Sequence, residues 1–370
     1  MKPKLVYVVT AARSIKLLDG QLAFMAQYYD VHLIASSGPE TNDIPPEVTF
    51  HALEMEREIS IWKDVRALFH MMRLIRQIQP DVINYGTPKA SLLASISSKL
   101  QRVPKRIYTL RGLRLETITG KKGKFFLTIE KWISAFSHRV ICISPSLLEK
   151  AEELGVAKQE KLVCAGYGSS NGMNMAKFEQ ANQQATELLF TKEDIVLGYV
   201  GRLTQDKGID DLIAAFQLLK KDYHCIKLLL VGRLDSNHHL QKETVQAMAT
   251  DSEIIHLEYQ KNIAPIYQQM DIFVFPTYRE GFGNVAMEAS YSGLPVIATN
   301  VTGAKDTIIP HETGLLVEAK NPASIQNAVM TLLQNPERRQ QMGQAGKARI
   351  KRDFQQETIW QAILEQYTDI

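Results

Sequence analysis

A chain of 370 residues, 45% hydrophobic and 22% charged, is too long for one compact core and too apolar to stay disordered. Its three cysteines, Cys142, Cys164 and Cys225, form no CxxC pair, which excludes a disulfide framework and fits a reducing cytoplasm. The net charge of +3 names no partner by itself, and no apolar run reaches the roughly 18 residues that span a bilayer.

Residues 5–9 and 31–35 read as strands, with a helix over 20–29 between them. The 5–9 run is too short for the apolar core of a signal peptide and has no cleavage pattern, so it reads as a buried first strand. Ile61, Val65, Leu68, Met72 and Ile75 recur at three- and four-residue spacings, which predicts an amphipathic helix over 61–78. Strands follow at 81–84, 106–109 and 140–144, then a helix over 146–154 stopped by Gly155. Residues 166–192 carry Gly166, Gly168, Ser169, Ser170, Asn171 and Gly172, then a polar Asn/Gln-rich stretch. They read as a linker able to hinge, because Gly and Asn adopt unusual backbone angles at low cost. Strands at 195–200, 227–231, 254–256, 272–275 and 295–298 alternate with helical segments. A parallel crossover needs such a helix, so the pattern implies parallel sheets. The predicted fold class is α/β: two Rossmann-like, doubly wound domains, 1–170 and 190–349, facing a cleft between them. A final helix at about 350–370 is expected to pack back on the first domain.

The sharpest chemical signal is Glu280-Gly-Phe-Gly-Asn-Val-Ala-Met-Glu288, placed after the strand 272–275. Ligands of open α/β sheets sit beyond the carboxyl ends of the strands. That puts Glu280 in a ligand-facing loop and Glu288 in the following helix. The amides of Gly281, Phe282, Gly283 and Asn284 would aim at an anion. After the strand 195–200 come Gly201, Arg202, Lys207 and Gly208, two cations and two flexible positions suited to a diphosphate. Gly232 and Arg233 follow the next strand at the same edge. A plain turn with solvated charges is the competing reading of each loop. Between Lys99 and Lys124 stand nine Lys or Arg and one acid, Glu116, a patch that favours an anionic partner. The segment 121–136 mixes Lys121, Lys122 and Lys124 with Phe125, Phe126, Trp132 and Phe136. It reads either as a basic amphipathic helix on a bilayer or as a core helix with a lysine-rich entry.

The E-x7-E pair Glu280 and Glu288, with Gly201-Arg202 and Lys207-Gly208, resembles glycosyltransferase family 4 of the GT-B fold, and the resemblance runs from the first strand to the last helix. Gly20-Gln21-Leu22, Arg57-Glu58-Ile59, Thr87-Pro88-Lys89-Ala90, the run from Tyr108 to Arg114, and Gly168-Ser169-Ser170-Asn171-Gly172 resemble the bacterial subgroup that extends undecaprenyl-diphosphate-linked sugars for capsule, O-antigen or protein glycosylation. The resemblance implies a retaining transfer. Arg202 and Lys207 would hold the donor diphosphate, Glu288 the ribose, and Glu280 with Gly281, Phe282, Gly283 and Asn284 the sugar and phosphates. The base would rest near His256 and Tyr259, with Gly201 and Arg233 completing the donor set. Thr87, Lys89, Arg111 and Arg114 are the implied acceptor contacts. No cofactor and no metal are expected, since the donor-domain loops lack a D-x-D pair. The donor is expected to be a UDP-sugar carrying an N-acetylhexosamine, and the acceptor a lipid-diphosphate-linked glycan. An anionic membrane surface would be met from Lys121 to Phe126, on the inner face of the cytoplasmic membrane.

Three departures stand out: Thr10-Ala11-Ala12-Arg13-Ser14 where relatives carry Gly-Gly, Arg111 where many carry His, and Asn174 where the subgroup carries Asp. The rival readings are a nucleotide-sugar epimerase of similar architecture, a catalytically inactive donor sensor, and a nonenzymatic anion- or nucleic-acid-binding protein. The last lacks any zinc pattern, RNP signature or repeated basic-aromatic stripe, so no nucleic-acid partner is expected.

Overall fold

The computed structural model describes residues 2–56, 60–118, 120–183, 187–235 and 239–368; the Arg57-Glu58-Ile59 stretch lies outside them. The chain forms two compact units, Met1–Gly172 with Gln356–Ile370, and Met173–Gln355.

The first unit is built on a seven-stranded sheet. Its strands are β1 (Lys4–Val8), β2 (Asp30–Ala35), β3 (Val48–Ala52), β4 (Val82–Tyr85), β5 (Lys105–Leu110), β6 (Arg139–Cys142) and β7 (Leu162–Cys164). They lie in the order β3-β2-β1-β4-β5-β6-β7, every pairing parallel. Strands β3 and β7 are absent from the expectation above. Both sit at sheet edges, where one side of the strand is unpaired and the apolar signal is short and mixed.

Helix Ile61–Ile78 ends where predicted, but its buried stripe is Ala67, Met71, Ile75 and Ile78. The anticipated stripe is met only in part: Ile75 is buried and Leu68 and Met72 are half-buried, but Ile61 and Val65 are exposed. The period was legible and the face was not, because the apolar Leu68 and Met72 stand one position away from Ala67 and Met71.

The final segment is not one helix. Helix Pro336–Asp353 belongs wholly to the second unit, so that unit runs past 349 to Gln355. Helix Gln356–Thr368 then packs in the first. Polar bonds fix it there. Tyr367 Oη lies 3.0 Å from Tyr7 Oη and accepts from Asn84 Nδ2 at 2.7 Å. Trp360 Nε1 donates to Asn171 Oδ1 at 2.7 Å, and Asn171 Nδ2 donates to the Asp19 carbonyl at 2.8 Å. The Ser-Ser-Asn-Gly segment is thus the clamp of the last helix. Ser169 also ties the turn internally, accepting from Gly172 N at 3.0 Å.

The second unit carries β8 (Ile195–Val200), β9 (Ile226–Val231), β10 (Ile254–Leu257), β11 (Ile272–Phe275), β12 (Val296–Thr299) and β13 (Gly314–Val317). Their order is β10-β9-β8-β11-β12-β13, again all parallel. Successive residues serve opposite faces. Leu228, Leu230, Ile272, Val274 and Ile297 enter one core; Leu229, Val231, Phe273, Phe275, Val296 and Ala298 enter the other. A sheet buried on both faces needs such continuous apolar runs, which is why β8 to β12 were easy to read; β13, at the sheet edge, is absent from the expectation above.

Within the expected linker, helix Met175–Asn182 belongs to the second unit. Its Phe178 packs on Tyr267 and Tyr291, with ring centroids 6.1 and 5.7 Å away. Asn174 caps this helix, accepting from Lys177 N at 2.9 Å. An Asn does this as well as an Asp, which accounts for the departure at that position.

Candidate functional site

In the second unit the strand order reverses between β8 and β11, which lie side by side with Leu197 opposite Ile272 and Gly198 opposite Phe273. Parallel strands release their following loops at the same edge, so the loops after Val200 and Phe275 meet at a topological switch point.

Their contact is close. Gly208 has φ 73°, and a Cβ there would lie 2.0 Å from the Pro276 carbonyl oxygen, so no side chain fits. Tyr278 N donates to the Asp206 carbonyl at 3.0 Å, and Thr277 Oγ1 donates to it at 3.3 Å. Arg279 lies 3.6 Å from the Asp206 carboxylate. Lys207 Nζ is bonded to Glu280 Oε1. The third loop joins through Gly232, where a Cβ would fall 1.9 Å from the Gly201 carbonyl oxygen, and through Leu203 N, which donates to the Arg233 carbonyl at 2.8 Å.

Gly201, Lys207, Arg233 and Glu280 therefore share one sheet edge. Arg202 is more than half exposed and pairs with Asp235 at 3.1 Å. Both cations are thus held by carboxylates, and an incoming diphosphate has to compete with Asp235 and Glu280 for them. Asp235 and Asp206 were not anticipated, and neither was the pairing of Glu280 with Lys207. Asp206 lay inside the quoted motif but carried no signal beyond charge.

Gly283 stands ahead of helix Asn284–Tyr291 with φ 103° and no side-chain cap. The first amides to find an acceptor at the helix start are Ala286 N and Met287 N, both on the Gly283 carbonyl. The amides before Ala286 have no acceptor within the helix, the ordinary condition of a helix start. The Phe282 side chain is turned into the protein, which leaves only its backbone for an anion. It is 3% exposed and packs on Phe354, centroids 5.2 Å apart.

One turn into the helix, the largely buried Glu288 accepts from Tyr267 Oη at 3.0 Å. Burial pushes its carboxyl up to about 7, against the smaller lowering effect of that bond. Tyr267 carried no sequence signal. Beyond β9 and β10, the Arg233 guanidinium lies 5.6 Å from the centre of the exposed Tyr259 ring, a cation–π pair. His256 Nε2 bonds to the Gly232 carbonyl at 2.8 Å; a carbonyl only accepts, so that nitrogen carries the proton.

In the first unit, the loop after β1 folds into a short 3-10 helix of about two turns, Ala12–Leu18. Thr87 Oγ1 accepts from Thr10 N at 2.8 Å and so ties that loop to the one after β4. Lys89 is committed to Asp64 at 2.7 Å. Arg114 stands exposed in the short helix Arg114–Thr117. Arg111 is set inward, and its Nε and Nη1 atoms are buried without a protein acceptor, beside a small cavity that Tyr7, Asn84, Thr109, Ser169 and Tyr367 also line. Burial lowers its affinity for the proton, yet the guanidinium stays charged at neutral pH. Thr87 and Lys89 are therefore engaged with the protein, whereas Arg111 has capacity left for an anion.

Helix Gly120–Phe136 exposes Lys121, Lys122 and Lys124, together with Phe125 and Trp132. Among the described residues, no group of three or more His, Cys, Asp or Glu could hold a metal ion, and no helix is long and apolar enough to cross a membrane.

The family model described as glycosyl transferases group 1 matches residues 180–349, and that of glycosyl transferase 4-like matches residues 4–144. The chain is 35% identical over 367 residues to the capsular polysaccharide biosynthesis glycosyltransferase CapM of Staphylococcus aureus, covering 98% of this chain and 96% of that one. It is 25% identical over 317 residues to the UDP-Gal:alpha-D-GlcNAc-diphosphoundecaprenol alpha-1,3-galactosyltransferase of Escherichia coli, covering 82% and 80%. Among solved structures, Anabaena Alr3699/HepE in complex with UDP and glucose superposes with a TM-score of 0.79 at 18% identity, over 100% of both chains. That likeness carries the fold, GT-B, and the whole-length kinship to CapM carries the family: the chain belongs to the glycosyltransferases of group 1, glycosyltransferase-4-like type.

Proposed function

We propose that this enzyme transfers a sugar, with retention, from a UDP-sugar to an undecaprenyl-diphosphate-linked glycan, in assembly of a capsule, O-antigen or glycoprotein oligosaccharide. The observation that carries the donor half is the meeting of the loops after β8 and β11, which puts Lys207 on Glu280 and sets Arg202 in the same loop. The relatives' printed activities, capsular polysaccharide biosynthesis and galactosyl transfer to a diphosphoundecaprenol acceptor, support the acceptor half. A UDP-bound structure of the same fold supports the donor base. The sugar itself, read as an N-acetylhexosamine, rests on the sequence resemblance.

In this reading Arg202, Lys207 and the amides ahead of Ala286 stabilise charge as it builds on the departing diphosphate. The helix amides stand in place before reaction, whereas Arg202 and Lys207 turn from Asp235 and Glu280 to the diphosphate; in this reading the set supplies the stabilisation without a metal. Glu288 accepts from the ribose hydroxyls, and Glu280 orients the sugar. The acceptor hydroxyl attacks from the leaving-group face, and the departing phosphate takes its proton. Arg111 and the exposed Arg114 meet the acceptor's phosphates; the peripheral site of action is the inner face of the cytoplasmic membrane.

The test is transfer from UDP-sugars to a polyprenyl-diphosphate sugar, with the anomeric configuration read by NMR. Arg202→Ala and Lys207→Ala should each lower kcat about 10²–10³-fold at saturating donor. Wild-type turnover by either variant, or an inverted product, would overturn the reading.

A further inference from the structure

The face of helix Ile61–Ile78 opposite the core is not polar. Trp62 is 86% exposed, Phe69 66% and Val65 42%. Positions 62, 65 and 69 form one stripe along the helix. Trp62 and the buried Met71 are nine residues apart, about two and a half turns, hence on opposite sides. Arg66, Arg73 and Arg76 are also exposed on this helix, as is Lys63, which is paired with Glu56. Its one acid, Asp64, is already paired with Lys89. Four cations less one acid give the helix a formal charge of +3.

Helix Gly120–Phe136 has the same make-up, with exposed Phe125 and Trp132 among Lys121, Lys122, Lys124 and Lys131. Helix Pro88–Leu100 packs against both. The three make one layer over the sheet, with aromatic side chains and cations on its two outer helices.

We propose that the Trp62-Val65-Phe69 stripe inserts into the headgroup layer of an anionic bilayer, with Arg66, Arg73 and Arg76 on the lipid phosphates. The composition selects the occupant. Large apolar side chains backed by a row of three arginines match a surface that is apolar beneath and anionic above. The inference extends the membrane contact beyond Lys121–Phe126 to a second helix. It rests on the proposed function only for its purpose, which is to bring the enzyme to a lipid-borne acceptor.

The experiment is flotation of the full chain with vesicles of equal parts phosphatidylglycerol and phosphatidylcholine, beside vesicles of phosphatidylcholine alone. The wild type should float with the anionic vesicles, and W62S/V65S/F69S should partition about tenfold or more weakly. R66E/R73E should lose binding to the anionic vesicles as well, which keeps the test open should the triple variant not fold. Tryptophan emission should be quenched by lipids brominated on their acyl chains, and less so in W62F. Flotation of both multiple variants equal to wild type would overturn the proposal. So would a wild-type dimer that is absent in the triple variant with no vesicle binding by either, which would give the stripe to a second copy. UDP titration of the same samples reports on the donor site alone, so failure of that reading shows separately.

Discussion

Glu288 couples site chemistry to stability in opposite directions. Burial raises its folded-state carboxyl to about 7, whereas an unfolded chain ionises a Glu near 4.3. Between those values the folded protein binds more protons than the unfolded one, so stability falls as pH rises through that window and levels off above it. The buried Glu130, also pushed up to about 7, acts the same way. Urea melts at pH 5 and pH 8 should therefore show the wild type losing more stability with rising pH than Glu288→Gln, and least change in the double variant with Glu130→Gln. Donor binding should run the other way, because only the carboxylate accepts from two ribose hydroxyls. Donor KM should fall as pH rises through about 7 and become flat and high in Glu288→Gln. A variant whose melts track the wild type at both pH values would count against this assignment of the buried proton. The motif residues Gly201, Lys207, Glu280 and Glu288 were legible because spacing and strand context mark them. Tyr267 and Asp235 were not. Each is recognisable only through the partner it meets, and that meeting is a product of the fold.

Between loops, the contact at Gly208 explains more than the charges do. Strand order alone brings the loops after β8 and β11 to one edge. The missing side chain at Gly208 lets Pro276 approach and sets Lys207 against Glu280. Gly208→Ala adds a Cβ against a backbone oxygen at a positive φ. It should cost about 1–3 kcal/mol of stability and weaken UDP binding, by chemical denaturation and calorimetry respectively. A variant of wild-type stability would show that the loop tolerates displacement. Strands buried on both faces, such as β9 and β11, announce themselves by unbroken apolar runs. The edge strands β3, β7 and β13 do not, since half their surroundings are solvent or loop. Helix Ile61–Ile78 marks the limit of periodicity. Its apolar residues occupy two opposed stripes, and only packing decides that the Ala67-Met71-Ile75 stripe goes inward.

The path of the chain makes the two units unequal in their independence. The second is continuous, Met173–Gln355, with two cores of its own. The first is completed by a segment from the other end of the sequence. Ile359, Trp360, Ile363, Leu364 and Tyr367 of that segment are all at most 7% exposed. Removing it would strip apolar cover worth roughly 1.5–3 kcal/mol for each fully buried large side chain. It would also leave Asn84 Nδ2 and Asn171 Oδ1 without their partners Tyr367 and Trp360, at about 1–3 kcal/mol for each orphaned group. The sum is comparable to the whole stability of an ordinary domain. A chain of residues 173–355 should therefore melt cooperatively by circular dichroism and still bind UDP. A chain of residues 1–172 should show no cooperative melt, and joining residues 356–370 to it through a flexible linker should restore one. Cooperative melting of the 1–172 chain at the temperature of its completed counterpart would mean that the last helix covers the first sheet without being needed to hold it.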